Sequence, residues 1–225
     1  MPTVPASTLD EVLVAVADVE GWMTDGQARL LWNCARTVRP GGTIVEIGSF
    51  RGRSMVVLAS AAAPGVQLVA IDPHAGNDRG PQEISGFEDE AARDHEVFNE
   101  NLARAGVADR VRHLRMFSSE ALAHVPGPID VCYIDGAHRL GPALEDIRRW
   151  SERVKPGGDL LIHDSFSSVG VTGALVASLF AGSRFRYLGR SESMTHYRRE
   201  DLGGAQRARN VVRQVAQLPW FARNV

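Results

Sequence analysis

Two short motifs hold residue types that can do acid–base or metal chemistry. They read Ile134-Asp135-Gly136-Ala137-His138 and Ile162-His163-Asp164-Ser165. Asp135, His163 and Asp164 each follow an apolar run of strand character, so adjacent parallel strands would gather them at one open edge. Two carboxylates and an imidazole placed there can bind one divalent cation. An oxygen-rich, partly open set suits Mg²⁺, and the imidazole tilts the choice toward Mn²⁺. His138 lies three residues beyond Asp135. It could take a proton from a hydroxyl whose pKa a nearby cation lowers. The competing reading of any single histidine is a surface or capping residue.

A second group of motifs points to a ligand with a nucleoside part. Val45-Glu46-Ile47-Gly48-Ser49-Phe50-Arg51-Gly52-Arg53-Ser54 reads as a strand, a Gly-rich turn and a helix start. Gly48 and Gly52 would let a ligand approach the backbone, and free N–H groups in such a turn favour a carboxylate or phosphate. Asp72 follows a strand 24 residues after Gly48, a position from which an acid can accept from both ribose hydroxyls. Met116-Phe117-Ser118-Ser119 could hold a purine edge and face. The turn is not the dinucleotide fingerprint G-x-G-x-x-G. His74, directly after Asp72-Pro73, could line the same pocket or cap the loop beyond it, whereas His95, His113, His124 and His196 read as structural or surface residues.

The elements that must position these residues follow from hydrophobic period and turn chemistry. Helices are expected over Thr8–Val19 and from Thr24, a capping residue with Gln27 three positions on, to about Arg39. Strands then alternate with helices. The strands are Thr43–Ile47, Gln67–Ile71, Val111–Met116, Ile129–Ile134 and Leu160–His163. The helices are Gly52–Ala63, Phe87–Ala105, Glu120–His124, Pro142–Val154 and Val171–Phe180, with Lys155-Pro156-Gly157-Gly158 as a stop before the fifth strand. A hairpin of Arg184–Leu188 and Ser193–Arg198 turns through Gly189-Arg190-Ser191-Glu192, and Gly204–Leu218 forms a last helix. Short, nearly all-apolar strands in this order imply a Rossmann-like, doubly wound α/β sheet of seven strands. Helices cover both faces, and the last strand runs antiparallel. The expected organisation is one domain over 1–225, with N-terminal helices to residue 40, a core over 41–198 and a C-terminal helix and tail. His74–Gly86 would form a long loop able to act as a lid.

Composition narrows the function classes. The 225 residues are 44% hydrophobic and 23% charged, with a formal net charge of −2. No basic excess exists to hold a phosphate backbone, so nucleic acid is not an expected partner. No apolar run is long enough to span a membrane. Met1–Asp10 lacks a basic flank before an apolar core, and Cys34 and Cys132 sit in apolar segments, as for free thiols in a reducing cytoplasm.

Val45-Glu46-Ile47-Gly48, Ala70-Ile71-Asp72, Asn101-Leu102-Ala103-Arg104-Ala105-Gly106 and Val154-Lys155-Pro156-Gly157-Gly158 resemble class I S-adenosylmethionine (SAM) methyltransferases. The resemblance runs from about Thr24 to Arg198. It implies SAM over the strand ends, with Gly48 and Ser49 under its methionine part and Asp72 on the ribose. Phe117 and Ser118 would flank the adenine, Glu46 would organise the turn, and Ser54 would reach the SAM carboxylate. Asp135 would border both cofactor and metal. The two motifs that hold Asp135 and Asp164 resemble the metal-dependent branch of macrocin-type sugar O-methyltransferases and cephalosporin hydroxylase-like proteins. His163 stands where that branch has an acid, so it reads as a ligand, as a residue behind the ligands, or as turned toward SAM.

The function this implies is cation-assisted methylation of a small hydroxylated acceptor, first of all a sugar hydroxyl such as that of a methylated mannoside. Asp135 and Asp164 would hold the metal and His138 would be the base. Trp22 and Trp220 could stack on a sugar, or serve core or dimer packing. The expected partners are the acceptor and a second copy of the chain. Alternatives are a catechol-like phenol as acceptor, a metal-using hydroxylase-like or lyase relative, and a SAM-binding scaffold without catalysis.

Overall fold

A computed structural model describes residues 8–75 and 88–224 of the chain. It begins with α1 (Leu9–Ala15) and α2 (Asp25–Ala35). Each opens on a full capping box, Thr8 with Glu11 and Thr24 with Gln27, so two amides that have no helical partner are satisfied at each start. There follow β1 (Thr43–Ile47), α3 (Arg53–Ala61), β2 (Gln67–Ile71), α4 (Glu88–Arg104), β3 (Val111–Leu114) and α5 (Ser118–Ala121). Then come β4 (Ile129–Ile134), α6 (Leu140–Ser151), β5 (Val154–Ile162) and α7 (Val169–Leu175), which Val176–Phe180 extends as a π-helical turn. The chain ends in β6 (Phe185–Ser191), β7 (Met194–Arg199), α8 (Gly204–Val215) and α9 (Leu218–Asn224). Residues 76–87, most of the expected lid, lie outside the described part.

The seven strands lie in the order β3-β2-β1-β4-β5-β7-β6, and β7 runs antiparallel to both neighbours. The fold is therefore the Rossmann-like doubly wound sheet. Side-chain alternation divides the core between its two faces. Ile44, Leu68, Ala70, Val131, Tyr133 and Leu161 pack under α1 to α4. Val45, Val69, Ile71, Cys132, Leu160 and Ile162 pack under α5 to α7. From β1 the chain builds outward to β3, then returns to lay β4 on the other side of β1. In open α/β sheets the ligand crevice lies at such a reversal, at the carboxyl ends of the strands. Here Ile47 is in register with Ile134, so the reversal lies between Gly48 and Asp135.

Besides shifts of a few residues at element ends, three details differ from the sequence-based expectation. β5 starts at Val154, not Leu160: Ile129 pairs with Val154 and Val131 with Asp159, so Lys155–Gly158 bulges out of a continuing strand instead of ending a helix before it. In the hairpin β6 runs on to Ser191, three residues further than expected, and β7 is shifted by one residue to Met194–Arg199, leaving Glu192 (φ +50°) and Ser193 as the turn. The last helix is broken in two, with Pro219 in the first turn of α9, where its missing N–H costs nothing. Among the described residues no helix is long and apolar enough to cross a membrane.

Candidate active site

A cleft of about 1490 Å³ opens at the carboxyl ends of β1, β2, β4 and β5. It is lined by Gly48, Asp72, Phe117, Ser118, Asp135, His138, His163 and Asp164, so both groups of motifs meet in one cavity. Ser49 and Ser54 line it too, whereas Glu46 lies fully buried behind them.

One half of the cleft is a chain of acids and imidazoles. Asp135 directly follows β4, and the buried Tyr133 hydroxyl donates to its Oδ2 at 2.7 Å. His163 directly follows β5, fixed by its backbone N–H on the Ile134 carbonyl at 2.9 Å. Its Nδ1 stands 3.2 Å from Asp135 Oδ1 and 3.2 Å from Asp164 Oδ2. Asp164 has φ +51°, a left-handed conformation that aspartate tolerates better than most residues. Its Oδ2 also lies 2.7 Å from His138 Nε2, and Ser167 Oγ donates to its Oδ1 at 3.2 Å. The loop that carries His138 is pinned from α7. Ser168 Oγ donates to the His138 carbonyl at 3.2 Å, and a Cβ on Gly170 would come within 2.2 Å of that oxygen.

These contacts set the charges. Burial pulls the His163 imidazole pKa down, but Asp135 and Asp164 overcome it and lift it to about 10. Burial likewise opposes ionisation of Asp164, yet the His138 and His163 hydrogen bonds hold it well below the usual carboxylate range. His138 is raised by its bond to Asp164, against burial. The ligand atoms of Asp135, His163 and Asp164 all lie within 4.8 Å of one another. Both carboxylates are 27% exposed toward the cleft. A set of two oxygens and one nitrogen with one open side fits Mg²⁺ or Mn²⁺, which keep water or substrate among their ligands.

The other half is the Gly48 turn and its surroundings. Gly48 has φ +82°, and a Cβ there would lie 2.1 Å from the Asp135 carbonyl oxygen. Its close neighbour is thus the chain itself. Gly52 (φ +83°) similarly faces Leu102 and Phe98 on α4. The N–H groups of Gly48, Phe50 and Gly52 are taken by Ile71 O, Asp72 Oδ2 and Ser49 O. The expectation that these glycines open the turn to a ligand and leave its amides free for an anion is corrected at those positions. Asp72 accepts from Phe50 N and His74 N at 2.8 Å each, which ties the β1 and β2 loops together. Burial pushes the Glu46 carboxyl up to about 8, although the Ser54 and Ser49 hydroxyls oppose the shift. Ser118 Oγ donates to Asp146 Oδ1 on α6 at 2.5 Å, and Phe117 stands 48% exposed at the cleft edge.

Behind Asp72 the rings of His74, His95, Phe98 and His113 pack with centroids 4.6 to 5.6 Å apart. His74 Nε2 is 2.7 Å from the Phe50 carbonyl, and the residue is left-handed at φ +45°. Burial, then His74 and His95, depress the His113 pKa from 6.5 to about 4. A histidine depressed in the folded state takes up its proton more readily when unfolded. Its contribution to stability is complete above about pH 6.5 and is lost as the pH falls toward 4. The melting temperature is therefore expected to drop across that window, with a shallower drop in His113→Phe, as parallel thermal melts would measure. Equal slopes would count against the histidine as the cause.

Sequence reasoning missed several residues of the site. Gln27, Tyr133 and Asp146 are buried polar groups that each touch a motif residue. Only Gln27 left a trace: it shares the apolar α2 stripe with Leu31 and Cys34, at spacings of four and seven. Trp22 is 75% exposed at the cleft rim with its ring 5.6 Å from Phe50, and the Trp220 ring carries the Arg190 guanidinium at 4.0 Å.

Comparison with known proteins agrees with this layout. An uncharacterized protein of Acanthamoeba polyphaga mimivirus is 27% identical over 127 residues, 54% of this chain and 51% of its own length. The chain thus spans about half the length of this curated relative. Among solved structures, the O-methyltransferase TomG from Streptomyces achromogenes, in complex with SAM, has a TM-score of 0.57 at 21% identity, over 90% of this chain and 92% of that one. An O-methyltransferase from Bacillus cereus in complex with SAH has a TM-score of 0.57 at 18% identity, over 89% and 93%. Cofactor-bound Rv0187 from MTB has a TM-score of 0.61 at 19% identity, over 88% and 91%. These likenesses establish the shared fold. The family model described as a methyltransferase domain matches residues 45–165, from β1 to the residue after Asp164, and the chain belongs to that methyltransferase-domain family.

Proposed function

We propose that this chain is a SAM-dependent O-methyltransferase, assisted by a divalent cation, whose acceptor is a small hydroxylated molecule and in first place a sugar. The observation that carries the reading is the meeting of two sites in one cleft: the strand ends at Gly48 and Asp72, and the Asp135–His163–Asp164 cluster with His138 beside it. The family and the SAM- and SAH-bound structures that share the fold support the cofactor. Asp72 and the Gly48 turn would hold its ribose and methionine parts, Ser54 its carboxylate, and Phe117 with Ser118 its adenine.

When bound, the cation lowers the pKa of a hydroxyl beside it, and SAM supplies a methyl group on a sulfonium leaving group. The chain's residues do the rest. Asp135, Asp164 and His163 would hold the cation. At 2.7 Å from a carboxylate, His138 Nε2 carries its hydrogen and donates it to Asp164 Oδ2. That leaves the lone pair on Nδ1, which is buried and without a partner. Because Nδ1 has no accessible surface, the ring would turn toward the cleft to take the proton of an acceptor hydroxyl. The cleft would align the acceptor oxygen with the methyl group, which would pass to it as the sulfonium leaves as a neutral thioether.

A sugar is favoured over a phenol by the cleft rim. Glu20 adjoins Trp22 in the chain and Arg53 donates to the Gly21 carbonyl, so charged groups flank an exposed aromatic platform on which a C–H face can stack. The test is calorimetric titration of SAM and SAH into chelated protein, with and without Mn²⁺ or Mg²⁺, followed by mass analysis of mannosides and phenols incubated with SAM. A SAM event, a separate metal event and a methylated sugar are expected. Folded protein that binds no SAM under any condition would overturn the reading.

A further inference from the structure

The capping box of α2 also reaches into the cation cluster. Gln27 is 1% exposed, and its Oε1 accepts the Thr24 backbone N–H at 2.9 Å. A backbone N–H can only meet an acceptor, so this bond settles which end of the Gln27 amide is oxygen. The amide nitrogen then donates to Ser193 Oγ at 3.0 Å, in the turn between β6 and β7. The same Oε1 lies 3.3 Å from His163 Nε2. Because Oε1 only accepts, His163 Nε2 must carry a hydrogen.

The consequence falls on the other ring nitrogen. With a hydrogen fixed on Nε2, Nδ1 is the ring nitrogen left to face Asp135 Oδ1 and Asp164 Oδ2, each 3.2 Å away. These three atoms converge on one point, held together by a positive charge: a second hydrogen on Nδ1 in the metal-free protein, or a cation in its place. We infer that Gln27 is the positioning residue of the cation site: it selects the His163 tautomer that offers Nδ1 as a ligand. Ring-nitrogen partners of this kind orient metal-bound histidines and raise their basicity. The inference rests on the proposed cation site and adds to it a residue 136 positions away on a helix outside the parallel core.

Two substitutions separate the role from packing. Gln27→Met keeps the volume and removes the acceptor, whereas Gln27→Glu keeps an acceptor for both Thr24 N–H and His163 Nε2–H. Mn²⁺ binding to the full chain, followed by the electron paramagnetic resonance of free Mn²⁺ without SAM or acceptor, is expected to weaken about 10- to 100-fold in Gln27→Met and to recover in Gln27→Glu. Imidazole nitrogen NMR of the Mg²⁺-loaded protein should show the Nε2-bound hydrogen of His163 in wild type and in Gln27→Glu. Circular dichroism and the SAM affinity of Gln27→Met, both expected to match wild type, exclude a folding defect. Equal Mn²⁺ affinity in wild type and Gln27→Met, or equal weakness in both variants, would overturn the inference alone. Wild-type protein that binds no Mn²⁺ would remove the cation site itself, and the inference with it.

Discussion

Gly48→Ala should melt about 5–15 °C below wild type and lose affinity for both SAM and Mn²⁺. Two terms add up. A side chain at φ +82° costs about 1–2 kcal/mol of backbone strain. A Cβ set 2.1 Å from the Asp135 carbonyl oxygen must also push two strand ends apart, an overpacking cost of about 1–3 kcal/mol. For a chain of this size each kcal/mol corresponds to about 2–4 °C in Tm. The displaced backbone is that of Asp135, so the damage spreads from the Gly48 turn to the cation cluster. Gly157→Ala is the control: φ is +78°, but no atom lies within 4 Å of the added Cβ. It carries the strain without the collision, and a small Tm loss with both affinities intact is expected. Thermal unfolding and the two titrations distinguish the cases, and equal melting of the two variants would show that the contact at Asp135 is unimportant.

His138→Ala should lower the rate of methyl transfer by about 10²- to 10⁴-fold, the usual contribution of a positioned base. SAM affinity should not change, because the ring meets Asp164 across the cleft and not the Gly48 turn. Single-turnover kinetics with SAM in excess isolates the step. The wild-type rate should fall in acid with a pKa above 6.5, since the bond to Asp164 raises the pKa of the base and protonation removes its lone pair. The variant should lose that dependence. A rate within about tenfold of wild type would move the base function elsewhere.

The parts of the fold that could be read from sequence are those where local pattern and burial agree. β1, β2 and β4 have the expected bounds because each is a nearly continuous apolar run covered on both faces. Local pattern makes β5 too short because Lys155-Pro156-Gly157-Gly158 carries every local mark of a stop, and only its pairing with β4 shows the bulge. The motif residues meet in one cleft because the reversal between β1 and β4 is a property of strand order. How they connect was not legible. Whether Gly48 faces a ligand or Asp135, and whether His163 points at the carboxylates or past them, depends on neighbours far away in the chain. The capping-box pattern identified Gln27 as a helix start and gave no sign of His163, which reaches it only after the sheet has formed.

The order of the strands also sets how firmly each half of the cleft is held. β4 and β5, which carry Asp135, His163 and Asp164, are bonded along both edges in the middle of the sheet. Asp72 follows β2, whose outer neighbour β3 is a four-residue edge strand. Opening free energies rise from the edges of a sheet toward its interior, and amide exchange follows them. Protection should therefore be highest around Cys132–Ile134 and Leu160–Ile162 and lowest at Val111–Leu114. The cation half of the cleft is built where the sheet opens last, and the nucleoside half borders the strand that opens first.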